Sequence, residues 1–279
     1  MHRRCLRALV FATTLLTGVV ACGDSGSGGA PAPSQTVLPS TPPQQLRARV
    51  IRSLPHDPTA FTQGLAIHAG SFYESTGMQG QSTLRHTEID TGRVLRRVDL
   101  PASLFGEGLA VVGDQLVQLT WTTKKALVYE IFTFRKVGEY TYEGEGWGLC
   151  FDEPHLVMSN GTDRLTFRDP HTFAVVRELG VTHSGKPLRR LNELECVGNT
   201  VYANVWTTET IVAIDADSGR VTAEIDASGL LTPEEERGTD VLNGIAYDKR
   251  SGHFFLTGKY WPKMFEVELV ERLAADRSR

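Results

Sequence analysis

Five copies of one short unit predict an all-β fold, a five-bladed β-propeller with four antiparallel strands per blade. The copies open Thr62-Gln63-Gly64-Leu65, Gly106-Glu107-Gly108-Leu109, Gly146-Trp147-Gly148-Leu149, Leu191-Asn192-Glu193-Leu194 and Leu242-Asn243-Gly244-Ile245. Their apolar anchors at 65, 109, 149, 194 and 245 are spaced 44, 40, 45 and 51 residues apart. A period of roughly 40–50 residues built only from short strands is that of a propeller blade. Inside the units, Asp and Gly punctuate alternating runs, as in residues 87–98 and 212–223, which is hairpin chemistry.

Taken in order, the chain opens on an address. Arg3, Arg4 and Arg7 precede an apolar run over residues 8–21 that is too short to span a membrane as a mature helix. Its end, Val19-Val20-Ala21-Cys22, resembles a bacterial lipobox, which predicts cleavage and lipidation at Cys22; an ordinary secretory leader cut nearby shares the earlier features. Residues 1–22 are read as this signal, and the product is expected to be exported and held at the cell envelope by its lipid alone. Residues 23–45, rich in Gly, Ser and Pro, have little to bury and predict a flexible tether.

Residues 46–279 are read as the propeller, expected as a monomer. Residues 49–55 precede Phe61 much as residues 93–101 precede Phe105, so they look like a fourth strand without a blade of their own. The last unit shows a third strand over residues 264–269 and no fourth. The N-terminal strand is therefore expected to close the ring, which removes an exposed sheet edge. The longest step holds Leu231-Thr-Pro-Glu-Glu-Glu236, where Thr232 and Glu235 have capping-box spacing and predict a short helical insertion. Cys150 and Cys196 fall on first strands of neighbouring units; a disulfide and two buried thiols are both compatible with that placement. The formal net charge of −4, with 29 basic and 33 acidic residues interspersed, gives no basic stripe and argues against nucleic acid as a partner.

In a propeller the first strand of each blade lines the central channel. The residues that open these strands are Gln63, Glu107, Trp147, Asn192 and Asn243, while Trp121, Trp206 and Lys259 end second strands. They are expected to converge on one wet mouth of the channel. Glu107 is the single carboxylate among the five openers, whereas a catalytic cation needs several oxygen ligands, usually more than one anionic. A catalytic metal is disfavoured, and a structural divalent cation held by carbonyls in the channel is left open. Trp121 is assigned to packing; Glu74 and Asn243 are divided between structural and substrate-facing roles.

The ordered set Phe61-Thr-Gln-Gly-Leu65, Glu74-Ser-Thr-Gly77, Phe105-Gly-Glu-Gly-Leu109, Gln118-Leu-Thr-Trp121, Gly144-Glu-Gly-Trp-Gly-Leu149, Leu191-Asn-Glu-Leu-Glu195, Val241-Leu-Asn-Gly-Ile-Ala246 and Thr257-Gly-Lys-Tyr-Trp-Pro-Lys263 resembles the plant-type glutaminyl-peptide cyclotransferases. The resemblance covers nearly all of residues 47–270. It implies a five-bladed propeller that turns the N-terminal glutamine of peptides or proteins into pyroglutamate with loss of ammonia, without a cofactor for catalysis. Carried over by position, it implies Glu107 as the catalytic carboxylate, Gln63 and Asn192 as substrate-positioning amides, Trp147 and Trp206 as indole walls, and Lys259 as the cation. In this reading Lys259 and Asn192 steady an oxyanion while Glu107 moves the proton. Two other classes compete: a non-catalytic protein-binding propeller, and a metal-dependent lactonase that lacks its acidic ligands here.

Overall fold

The structure, a computed structural model, describes residues 41–272. The predicted leader with Cys22, residues 23–40 of the predicted tether, and residues 273–279 lie outside the described residues. Among the described residues every regular element is a strand. In order they are β1 (Gln44–Pro55), β2 (Thr62–His68), β3 (Ser71–Thr76), β4 (Thr83–Glu88), β5 (Val94–Asp99), β6 (Gly106–Val112), β7 (Gln115–Thr120), β8 (Lys125–Glu130) and β9 (Lys136–Thr141). Then come β10 (Leu149–Asp152), β11 (His155–Ser159), β12 (Arg164–Arg168), β13 (Val175–Gly180), β14 (Thr182–His183), β15 (Lys186–Pro187), β16 (Leu191–Val197), β17 (Thr200–Val205) and β18 (Thr210–Asp215). The last are β19 (Val221–Asp226), β20 (Leu242–Asp248), β21 (His253–Gly258) and β22 (Lys263–Glu271). β1 begins at Gln44, slightly inside the segment read as tether.

The arrangement is propeller-like. β2–β5, β6–β9 and β10–β13 each form a four-stranded antiparallel meander, and β14–β15 form a small separate hairpin. The remaining strands make one eight-stranded sheet in the order β16-β17-β18-β19-β1-β22-β21-β20. β1 sits at its middle, antiparallel to β22 from Leu46↔Glu271 to Pro55↔Lys263 and parallel to β19 over Gln44–Arg47.

The first strands β2, β6, β10, β16 and β20 pack side by side in that order, and β20 returns to β2. Their closeness explains the glycine of the repeated motif. A side chain on Gly64 would strike the backbone of Leu109, one on Gly108 the backbone of Trp147–Leu149, and one on Gly148 the backbone of Asn192. The fourth unit carries Glu193 at this position instead. Its side chain is fully buried and its two oxygens accept the backbone N–H groups of Leu65 at 3.2 Å and Ile245 at 2.7 Å. One carboxylate thus ties three inner strands.

Apolar cores fill the spaces between consecutive sheets. Tyr73 and Leu84 meet Leu109, Leu116 and Leu127 in one, and Cys150, Val157 and Phe167 meet Leu194, Val201 and Ile214 in another. Cys150 and Cys196 are joined as a disulfide between β10 and β16, with Cα atoms 5.5 Å apart. The structure therefore selects one of the two states the sequence left open.

The expected helical insertion is not a helix. Its capping box does form: Thr232 N–H donates to Glu235 Oε2 at 3.0 Å and Glu235 N–H to Thr232 Oγ1 at 3.3 Å. A single i→i−4 bond follows, Glu236 N–H to Thr232 O at 3.0 Å, and Gly238 at φ +89° turns the chain away. One bond does not offset the cost of a helical nucleus, and Glu235 is drawn into an ion pair with Lys263.

Candidate active site

Where the motif meets its second strand, the ladder slips. The pairing register shifts between Thr62 and Gly64, Gly106 and Leu109, Leu191 and Leu194, and Leu242 and Ile245. Such bulges re-aim a side chain out of the alternating pattern. Here they point Gln63, Glu107 and Asn192 into a cavity of about 230 Å³. Phe61, Phe105, Trp121, Trp147, Trp206 and Lys259 complete its lining. All six residues carried over from the resemblance for catalysis and binding therefore share one space.

Three expectations change. Glu107, placed by sequence at a wet mouth, is only 4% exposed, because neighbouring first strands and the aromatic rim enclose it. Lys259, expected at the same mouth, is also buried, and its ammonium lies 4.5 Å from the centroid of the Phe61 ring. Trp121, assigned to packing, is instead 40% exposed and forms part of the cavity wall. Its indole N–H donates to Glu145 at 2.7 Å.

The two positions left divided resolve. Asn243 is buried and donates to Thr62 O at 2.9 Å and to Gln63 Oε1 at 3.2 Å. It thereby fixes the Gln63 amide with its nitrogen free to face Glu107. Glu74 is structural: its Oε1 accepts from His56 at 2.9 Å and from Thr62 Oγ1 at 2.7 Å, and Arg85 lies 4.0 Å from its other oxygen.

Electrostatics single out the Glu107 carboxyl. Burial pushes its pKa well above the usual carboxylate range, the positive charge of Lys259 opposes this, Glu145 adds to it, and the Gln63 amide pulls back. Burial lowers the Lys259 ammonium, with Glu107 and Asp240 pulling it upward. A carboxyl whose pKa is raised by burial and a desolvated amine suit proton transfer and charge stabilisation. Among the described residues no group of three or more His, Cys, Asp or Glu is gathered as a metal site.

Sequence reasoning missed Phe61, Phe105 and Glu145 as site residues. The first two had a signal, since both stand at the same offset before the glycine motif, Phe61-Thr-Gln-Gly64 and Phe105-Gly-Glu-Gly108. Glu145 had none, because its partners are two indoles brought together only by the fold.

Known proteins resemble this chain over most of its length. A profile of the glutamine cyclotransferase family matches residues 25–269. The glutaminyl-peptide cyclotransferase of Arabidopsis thaliana is 39% identical over 231 residues, which are 81% of this chain and 72% of that protein. The crystal structure of Myxococcus xanthus glutaminyl cyclase superposes with a TM-score of 0.76 at 40% identity, covering 83% of this chain and all of that one. With the family profile spanning most of its length and a relative of this identity, the chain belongs to the glutamine cyclotransferase family.

Proposed function

We propose that the chain is a glutaminyl-peptide cyclotransferase, which converts the N-terminal glutamine of a peptide or protein into pyroglutamate and releases ammonia. The observation that carries this reading is one carboxyl with a raised pKa, buried between a lysine and an aromatic rim in a cavity of about 230 Å³. The α-amine attacks its own side-chain amide carbon, forming the C–N bond of a five-membered lactam. Its reference pKa of about 7.7–8 makes loss of a proton near neutrality inexpensive. As the free amine forms the C–N bond, Glu107 takes one of its two N–H protons, leaving a tetrahedral oxyanion. The same group then protonates the amide nitrogen, the C–N bond to it breaks, and ammonia departs. One carboxyl serves as base and then as acid.

Lys259 and the Asn192 amide lie in the same cavity and steady the oxyanion, where enclosure strengthens their field. Trp147 and Trp206, in edge contact at 5.5 Å, hold the flexible side chain curled for attack. Gln63, fixed by Asn243, orients the carboxyl. The reaction so written uses no metal and no cofactor at the reacting atoms. The fold reading that goes with it is a closed ring of five blades, in which β1 serves as the outer strand of the last. The cyclic packing of the first strands supports it. We also read the chain as exported and anchored through lipid on Cys22, as a monomer.

The deciding experiment incubates purified protein with a Gln-initiated peptide and follows the loss of one ammonia by mass. EDTA should leave the rate intact; a loss restored by one specific divalent ion would overturn the proton-transfer scheme. Incorporation of labelled fatty acid, abolished by Cys22→Ser, tests the anchor.

A further inference from the structure

The rim of the cavity is a run of aromatic rings, and one junction in it is built differently from the others. Trp206 meets Trp147 edge-on at 5.5 Å, Trp121 meets Phe105 at 5.7 Å, Phe105 meets Phe61 at 6.0 Å, and Phe61 meets Tyr260 at 5.2 Å. Trp147 and Trp121 are joined through a carboxylate. Glu145 Oε2 accepts the indole N–H of Trp121 at 2.7 Å and that of Trp147 at 2.9 Å. Each indole has one polar atom, a donor, so this single oxygen is what each ring has to orient by. Bonds of this kind to an ionised acceptor are roughly twice as strong as neutral ones.

The backbone around Glu145 is built to hold it there. Gly146 N–H donates to the carbonyl of Trp121 at 3.1 Å, and a side chain on Gly146 would collide with the Tyr142 hydroxyl, which itself bonds to Thr120 O. Gly144 takes φ +82°, and Glu143 pairs with Lys124 at 2.8 Å. Glu145 itself is exposed and does not line the cavity. It is placed to act on the reaction through its neighbours.

We propose that Glu145 is a positioning residue for cyclisation: it sets the spacing of the Trp121 and Trp147 walls and holds a second negative charge over Glu107. The proposal rests on the cyclotransferase reading. The groups that face Glu107 are Lys259 from beyond β21, Glu145 from the loop before β10, Tyr142 from beyond β9, and the uncharged Gln63 amide on β2. Glu107 thus lies in two opposed fields, Lys259 favouring its charged form and Glu145 opposing it. The wall spacing acts on attack geometry, where a misplacement of about 1 Å can cost on the order of 10²-fold.

Two substitutions separate the parts. Glu145→Ala removes both acceptor and charge; Glu145→Gln keeps an amide oxygen that accepts both indole N–H groups and removes only the charge. For Glu145→Ala, kcat/KM for a Gln-initiated peptide should fall roughly 10- to 100-fold at an unchanged melting temperature. Glu145→Gln should recover most of that loss, while moving the acid limb of the kcat/KM profile to lower pH, because the charge that raised Glu107 is gone. The protein has four tryptophans, so its indole N–H resonances are few. Those of Trp121 and Trp147 should move in Glu145→Ala and stay near their positions in Glu145→Gln. A Glu145→Ala enzyme within twofold of wild type, or a Glu145→Gln enzyme equally impaired with an unmoved acid limb, would overturn the proposal. If wild-type protein releases no ammonia at all, the cyclotransferase reading fails. The indole resonances then still decide the clamp, and binding of the same peptide to each variant decides whether the walls and their charge matter to the cavity.

Discussion

Glu107 and Glu74 are both buried carboxyls in the inner half of the sheets, and their surroundings treat them in opposite ways. Glu74 is saturated: His56 and Thr62 donate to it and Arg85 stands nearby, itself paired with Asp57 at 2.7 Å. Although burial opposes ionisation, these partners together hold its pKa below the usual value. Glu107 has one amide turned toward it and a lysine across the cavity, and burial prevails. A carboxylate whose bonds are all made is fixed in one protonation state and serves the fold. One left short of partners in a space open to a ligand can change state, and serves chemistry.

The largest expected effect breaks the comparison on the Glu107 side. Glu107→Gln keeps shape and cannot carry a proton, so kcat should drop by about 10²–10⁴-fold, towards the upper end because two transfers use the group. A carboxyl raised by burial costs stability at neutral pH, so the melting temperature should stay level or rise. Cyclisation within tenfold of wild type by a folded variant would remove Glu107 from the mechanism. Lys259→Met in the same assay should shift the acid limb upward, since Lys259 is what holds the Glu107 pKa down.

On the other side, Glu74→Ala leaves buried cationic groups uncompensated and should cost about 3–5 kcal/mol in denaturant unfolding. The sign of its pH dependence follows from both partners. His56, raised from 6.5 chiefly by Glu74 against burial, stabilises below that pH and loses its contribution as pH rises through the raised value. Glu74, lowered from 4.5, stabilises above that pH and loses its contribution as pH falls. The mutational cost should therefore peak between those two values; a cost that is flat from pH 4 to 9 would show that the pair is not coupled to folding.

The smallest effect sharpens the contrast away from the Glu107 cavity. Glu195 lines a separate cavity of about 620 Å³ with the disulfide and Lys249, and burial pushes it up to about 8. Its folded pKa lies above the unfolded one, so its contribution is intact below about pH 4.5 and is lost as pH rises toward 8. Glu195→Gln should be neutral at pH 4.5 and raise the melting temperature at pH 8.5. Equal melting shifts at both pH values would contradict that assignment.

Much of this was legible in advance where a residue's role is repeated. The glycine motif recurs in four of the five units: at Gly64, Gly108 and Gly148 because adjacent inner strands touch backbone to backbone, and at Gly244 because the chain takes φ +124°. The same recurrence exposed Gln63, Glu107, Trp147 and Asn192 as the positions that vary. The insertion at 231–236 was misread because capping-box spacing is a local signal, and whether a helix follows depends on the hydrogen bonds after it.

By itself, the sequence determined the all-β class, the order and spacing of the strands, and the residues offered to one mouth, since all are functions of period and local turn chemistry. Only the tertiary structure decided that Glu107 and Lys259 are buried, that Cys150 meets Cys196, that Trp121 is a wall, and that Glu145 bridges two indoles. Burial and pairing across units depend on which strands come to lie beside one another, with distances set by the packing of the sheets and not by separation along the chain.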